Sequence, residues 1–353
     1  MKKLLIITKT LSTNDGQGRY SLDMIRLLKN NYQLVVFCFQ EPENREVDVI
    51  YRQLGNLFFS WQFFKEIRTA DLIHCFSDYP YCLILLLCFY RKPIFVTAHG
   101  TYSVLPLDKP IGRFLLKLVY KKVRKIFCVS SFTQKEILTR IRLDNTTIIN
   151  NGVDYDKFQI SCRKQDKEKI ILSVGALKPR KGYHISIPAV ARVKDNYPNI
   201  KYYIIGGNPE KHYLDMIKNY NLENNVKFFC GVSDEDLIGL YYECDIFLLT
   251  SVTKDNNDFE GFGLVYLEAG ACGKPVIGAF GSGAEDAIVN EETGILIPQN
   301  DIQATAETIL KLLNNPDFAR RLGENGKKRA QQMNWGSVIK KYIEVYENSL
   351  SFR

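Results

Sequence analysis

The stretch "EGFGLVYLEAGACGKPVI", residues 260–277, places two carboxylates, Glu260 and Glu268, eight positions apart among glycines and apolar side chains. Just upstream, "DIFLLTS" (245–251) is a β-branched and aromatic run ending in polar residues, which predicts a buried strand. A polar loop, "VTKDNNDFE", follows. Leu264, Val265, Leu267 and Ala271 then fit a helix starting near Gly263. Glu260 precedes that helix and Glu268 lies in its second turn. The free amides of Phe262, Gly263 and Leu264 stand between them. A carboxylate accepts hydrogen bonds from sugar hydroxyls, and a helix start holds phosphate. The order carboxylate, helix start, carboxylate therefore matches the order sugar, diphosphate, ribose in a nucleotide sugar. Spacing alone equally allows Glu260 to cap the helix and Glu268 to sit at the surface.

Working outward, short apolar runs alternate with helical patterns. "KLLIIT", "QLVVFCF", "DLIHCFS", "PIFVTAH" and "KIFCVS" form one set of predicted strands, with helices over 18–30 and 111–124. "KIILSVG", "KYYIIGG", "VKFFCG", "DIFLLTS", "PVIGAF" and "GILIP" form a second set. Such alternation predicts parallel sheets wrapped by helices. The Asn151-Gly152 turn and the charged stretch after it separate the sets. The expected organisation is an N-terminal acceptor-side domain over 1–155 and a nucleotide-sugar domain over 156–335. A packing helix over 336–353 completes the chain. The fold class is α/β, two doubly wound Rossmann-like domains facing each other across a cleft.

Composition narrows the class. At 353 residues with 46% hydrophobic content, the chain can bury two cores. The start "MKKLLIITKT" is too short in apolar residues for a signal-peptide core and reads as a strand. "YCLILLLCFY" (81–90) is half the length of a bilayer span and reads as a buried helix. Nine cysteines without a C-x-x-C pair read as reduced core residues, with a zinc or redox site as the alternative. The reading is a cytoplasmic protein. The net charge of +8 is uneven: residues 1–155 hold 22 basic and 13 acidic residues, and residues 156–353 hold 25 and 26. The N-terminal half is thus fitted to an acidic surface.

Three further segments bear on chemistry. "STNDGQGRYS" (12–21) offers Gly16 and Gly18 for a tight turn into a helix, but Ser21 breaks the dinucleotide fingerprint. "SVGALKPRKGYH" (173–184) places Lys178, Arg180 and Lys181 at a strand's carboxyl end, which suits a polyanion. "DED" (234–236) and "DYD" (154–156) have metal-binding spacing. Ser233 makes the first a helix cap, the second sits in the linker, and no metal is expected.

Together these motifs resemble the retaining glycosyltransferases of the GT-B fold, family 4 (glycosyl transferases group 1). "GALKPRKG", "INNGVDYDKF", "NVKFFCGVSDEDLIGLYYECDIFLLTS", the paired-carboxylate element and "NEETGILIP" carry the resemblance, which spans nearly the whole chain. It implies that Glu260 faces the donor sugar and Glu268 holds the ribose. Gly16 and the amides of Phe262, Gly263 and Leu264 would hold the diphosphate or sugar. Arg180 and Lys181 would neutralise the leaving group, and His99 in "TAHGTY" would contact the donor sugar. Read from the residues alone, His99 is a strand-end histidine. Two positions depart from the pattern: Ala176 stands where many members carry Arg, and Asp15 precedes Gly16 where glycines often pair.

The resemblance implies a UDP- or GDP-linked donor, a glycan or lipid-linked acceptor, no cofactor and no nucleic-acid partner. A small soluble acceptor (a sugar phosphate or hydroxy acid) and a non-catalytic nucleotide-binding module are the alternatives. Within 109–125, seven basic residues and no acidic one suggest contact with an anionic membrane at its inner face. A sheet-covering helix with a basic outer side gives the same sequence pattern.

Overall fold

The computed structural model describes residues 1–13, 16–40, 50–53, 61–88, 92–159, 168–254 and 257–351. Asp15, Cys162 and the aromatic stretch from Asn56 to Ser60 lie outside them. The chain divides into two compact units, Met1–Gly152 with Trp335–Arg353, and Val153–Asn334.

The first unit runs β1 (Lys3–Thr8), α1 (Gly16–Leu28), β2 (Gln33–Cys38), β3 (Ile50–Gln53), α2 (Trp61–Thr69), β4 (Leu72–Cys75) and β5 (Ile94–Ala98). It continues through α3 (Thr101–Val104), α4 (Pro110–Lys122), β6 (Lys125–Cys128), α5 (Ser131–Leu138) and β7 (Thr146–Ile148). The second unit holds β8 (Ile170–Val174), α6 (Tyr183–Lys194), β9 (Lys201–Ile205), α7 (Lys211–Asn219), β10 (Val226–Phe229), α8 (Asp234–Glu243) and β11 (Ile246–Leu248). After these come α9 (Leu264–Ala271), β12 (Val276–Ala279), α10 (Ala284–Ala287), β13 (Ile295–Ile297), α11 (Ile302–Asn314) and α12 (Pro316–Gln332). The last helix, α13 (Trp335–Ser351), returns to the first unit.

Every strand pairing is parallel. The sheet orders are β3-β2-β1-β4-β5-β6-β7 and β10-β9-β8-β11-β12-β13. Strand order therefore reverses between β1 and β4 in one unit and between β8 and β11 in the other, where Ile246 lies opposite Ile171. Such reversal points open a crevice beyond the strands' carboxyl ends. Burial on both sheet faces explains the unbroken apolar runs of the central strands.

The structure departs from the sequence reading in three places. The helix expected to stand apart over 336–353 belongs to the first unit, and the boundary falls at 152/153 rather than 155/156. Its Trp335, Val338, Tyr342 and Tyr346 are buried in one core with Tyr20, Leu34 and Phe127. The apolar run from Tyr81 to Leu87 is a 3₁₀ helix. Strands β3 and β7 lie at the two edges of their sheet. Their sequences, IYRQ and TTI, are too short and polar to show a buried strand's signature.

Candidate functional site

In the second unit the site is assembled by the turns that follow β8 and β11. Pro179–Lys181 forms a 3₁₀ turn closed by Gly182 at φ +74°, a left-handed conformation that favours glycine. A side chain there would also lie 1.7 Å from the Thr250 carbonyl oxygen. Thr250 Oγ1 donates to the Gly182 carbonyl at 2.7 Å, and the Val252 amide donates to the Arg180 carbonyl at 2.8 Å. The basic turn is thereby stitched to the segment after β11, and its cations converge on Glu260.

Lys181 donates to Glu260 Oε2, and Arg180 Nη1 donates to the same oxygen at 3.0 Å. Arg180 Nε lies 3.4 Å from Asp258 Oδ1. Glu260 and Lys181 are only 7% and 9% exposed. Burial alone would raise the Glu260 carboxyl, but the Lys181 and Arg180 charges outweigh it and hold it down at about 2. Burial likewise pulls the Lys181 ammonium below its ordinary range, with Glu260 limiting the fall. Both cations hold Oε2, so Oε1 is left to accept from a ligand.

Glu260 does not cap the helix. Gly263, at φ +84°, is the residue preceding α9, and a side chain there would lie 2.5 Å from the Tyr266 ring. The Phe262 and Gly263 amides therefore reach the helix start with no side chain on Gly263 in the way, and Leu264 opens α9. Glu268, on the second turn, is half-buried and accepts a hydrogen bond from Tyr241 Oη at 2.7 Å. The acidic tripeptide 234–236 opens α8, where Ser233 accepts from the Asp236 amide at 3.1 Å, the expected cap. Asp234 is paired with Lys157 at 2.6 Å.

In the first unit, Gly16 begins α1 after β1, two residues before the helix start expected at Gly18. Gly18 is the sterically demanding one: a side chain there would lie 2.0 Å from the Ser12 carbonyl oxygen. His99 directly follows β5 and is half-buried. Its Nε2 lies 2.7 Å from the Phe76 carbonyl oxygen, which can only accept. Nε2 is therefore the nitrogen that carries a proton, and whenever the ring is uncharged Nδ1 is the acceptor. The His99 amide donates to Asp78 Oδ1 at 3.1 Å, and Ser103 donates to the same oxygen. Burial raises the Asp78 carboxyl, opposed by His99 and by these bonds. Tyr20 stands edge-on to His99, ring centroids 4.7 Å apart.

The structure thus joins Arg180, Lys181 and Glu260, and puts Phe262, Gly263, Leu264 and Glu268 along the next helix start. Gly16, at the start of α1, and His99, just past β5, lie in the other unit. Sequence reasoning passed over Asp258, Tyr241, Asp78 and Tyr20. The first sat in a segment read only as polar loop, Tyr241 carries no signal until the fold sets it against Glu268, and Asp78 and Tyr20 carry none until it sets them beside His99.

Family models match both halves of the chain: "Glycosyltransferase Family 4" over 14–157 and "Glycosyl transferases group 1" over 154–329. The chain belongs to the family 4, group 1 glycosyltransferases. A capsular polysaccharide biosynthesis glycosyltransferase, CapM of Staphylococcus aureus, is 26% identical over 321 residues, 78% of this chain and 82% of that one. The structure of a glycosyltransferase from Rickettsia africae superposes with a TM-score of 0.83 at 20% identity, covering 99% of this chain and 98% of that one. Anabaena HepE in complex with UDP-glucose superposes with a TM-score of 0.79 at 21% identity, covering 99% and 100%. This glycosyltransferase accordingly has the α/β GT-B fold. Among its described residues no helix is long and apolar enough to cross a membrane.

Proposed function

We propose that this glycosyltransferase moves a sugar from a UDP- or GDP-linked donor to a glycan or lipid-linked acceptor, with retention of anomeric configuration. The setting is synthesis of a cell-surface polysaccharide or glycolipid at the inner face of the cell membrane. The observation that carries the donor chemistry is the buried Arg180–Lys181–Glu260 cluster at the β8/β11 reversal point. The capsular and UDP-glucose relatives support the acceptor and donor classes, and retention rests on the family pattern.

Breaking the anomeric C–O bond leaves positive charge on the sugar ring and negative charge on the diphosphate. Lys181 and Arg180, already ordered, stabilise the diphosphate without reorganising as charge develops. The amides at the start of α9 add to this, so side chains and backbone supply countercharge that a metal would otherwise bring. Glu260, ionised through the neutral pH range, accepts from sugar hydroxyls through Oε1. His99 accepts a sugar hydroxyl at Nδ1, and Glu268 accepts from the ribose hydroxyls. The acceptor oxygen bonds to the anomeric carbon on the face the diphosphate leaves, and the leaving phosphate oxygen takes the acceptor's proton.

The test is a panel of UDP-, GDP- and ADP-sugars. A true donor should raise the unfolding temperature by mass action and be slowly hydrolysed without acceptor. Nucleotide binding with no sugar released from any donor would overturn the transferase reading and leave a binding module.

A further inference from the structure

Burial divides α4 into two apolar faces. Gly112, Leu116, Val119 and Tyr120 are buried. Ile111, Phe114 and Leu118 are 75%, 62% and 43% exposed. A helix that only covers a sheet needs the first face and has no use for the second. Among the described residues, no other helix carries more than one exposed large apolar side chain. At about 100° per residue, Ile111, Phe114 and Leu118 fall within about 60° of one another, and Lys121, Lys117 and Arg113 occupy the next 80° or about that. The solvent side of α4 is therefore an apolar strip with a cationic strip alongside.

The charge has no counterpart on the helix itself; Asp144 lies near Lys121 at the helix's far end without forming an ion pair with it. Residues 109–125 contain no acidic side chain, and the preceding Asp108 is bound to Arg140 at 2.8 Å. Lys109, Lys117 and Lys121 have no ion-pair partner among the described residues. Lys122 stands apart from them: it is half-buried and donates to the Leu86 carbonyl at 3.1 Å.

We propose that this face of α4 docks on an anionic lipid bilayer, with Ile111, Phe114 and Leu118 entering the interface and Lys117 and Lys121 meeting the headgroups. The proposal rests on the membrane-face reading above for its purpose. Thirteen residues span about 20 Å, enough to lie in the interface and too short to cross it. A bilayer takes both strips at once, since apolar insertion and headgroup charge act on adjacent sides of one helix. A second copy of the chain fits poorly, because a twofold interface would set the cationic strip against itself with no acidic residue on α4 of either copy.

The experiment is sedimentation of the full chain with phosphatidylglycerol-containing vesicles and with phosphatidylcholine vesicles, at low and high salt. Expected is binding to the anionic vesicles at low salt, about tenfold or more weaker on neutral ones and weakened by salt. Lys117→Glu with Lys121→Glu, and separately Phe114→Ser with Leu118→Ser, should each lower binding about tenfold. Protein left in the supernatant with anionic vesicles, or charge-reversed protein that still binds, would overturn the proposal. So would a solution dimer that the Phe114→Ser, Leu118→Ser variant returns to monomer. Donor hydrolysis is measured on the same proteins without lipid, where both variants should keep the wild-type rate. Lost docking with hydrolysis intact removes only the docking face. Docking without hydrolysis of any donor removes only the transferase reading.

Discussion

Lys181 and Lys117 are the same residue type in opposite surroundings. Lys181 is buried against Glu260, in a turn held at both ends by backbone bonds. Lys117 is exposed, on a helix whose nearest acidic neighbour in sequence is already paired with Arg140. The first cation is matched and buried, so its effect is local and insensitive to salt. The second adds to a surface field that acts over a Debye length and is screened by salt. The pooled charge of the chain hides this division of labour.

The widest gap between the two regions should appear in turnover. Lys181→Ala and Glu260→Ala should each lower the rate about 100- to 1000-fold. Glu260→Ala also strands the buried Lys181 charge, at about 3–5 kcal/mol of stability, whereas Lys181→Ala leaves Glu260 its bond to Arg180 and should cost less. Lys181→Met together with Glu260→Gln removes both charges and should recover most of that stability while the rate stays low. Unfolding midpoints and initial rates on one donor separate the two effects. A double variant with wild-type turnover would make the cluster a structural brace. Lys117→Ala should change neither quantity.

Acid stability sharpens the same contrast. A carboxylate held below its ordinary value stabilises the fold above that value and loses the contribution as pH falls toward the folded one. For Glu260 the window runs from 4.5 down to about 2, worth about 3 kcal/mol. Glu260→Gln should flatten stability against pH across that window. Equal slopes for variant and wild type would contradict the buried ion cluster, and Lys117→Ala should leave the slope unmoved.

Glu268 carries a smaller effect. Glu268→Gln keeps an acceptor for Tyr241 and should weaken nucleoside diphosphate binding about tenfold with little change in the rate at saturating donor. Calorimetry with the free nucleoside diphosphate checks this, and unchanged affinity would remove the ribose role.

What the sequence made legible follows from which physics is local. The central strands announce themselves because burial on both faces leaves continuous apolar runs, as in "KLLIIT" and "KIILSV". The helices expected over 18–30, 111–124 and 336–353 appear within two residues of those ends, as Gly16–Leu28, Pro110–Lys122 and Trp335–Ser351, since apolar periodicity is local. The short edge strands carry no such signal. Glu260, Arg180 and Lys181 were legible as residues at strand ends, but their convergence on one carboxylate oxygen was not, because it depends on β8 lying beside β11. The return of α13 to the first unit was hidden for the same reason: an apolar helix face does not say which core it fills. In α4 the sequence showed basic residues interleaved with six apolar ones, Ile111, Phe114, Leu115, Leu116, Leu118 and Val119. Only burial could sort Ile111, Phe114 and Leu118 from Leu116 and Val119.

The smallest expected effect lies in the neutral network beneath His99. Tyr20 Oη shares a hydrogen bond with Thr97 Oγ1 at 3.0 Å and donates to Tyr342 Oη at 3.1 Å, which ties α13 to α1. His74 bonds Tyr346 Oη at 2.5 Å and Thr97 at 2.9 Å, and burial keeps its ring neutral by lowering its pKa well below the ordinary histidine value. No ion pair joins these groups, so removing one member strands no charge. Tyr20→Phe deletes the hydroxyl and keeps the ring that packs against His99. It should cost about 1 kcal/mol, a fall of about 2–4 °C in the unfolding midpoint. Turnover should stay within about twofold of wild type, since the His99 ring keeps its packing partner and its bond to the Phe76 carbonyl. Calorimetric unfolding and steady-state rates measure the two numbers. A loss of rate beyond tenfold with so small a loss of stability would mean that the hydroxyl network positions His99, and that neutral bonds as well as matched charges govern turnover.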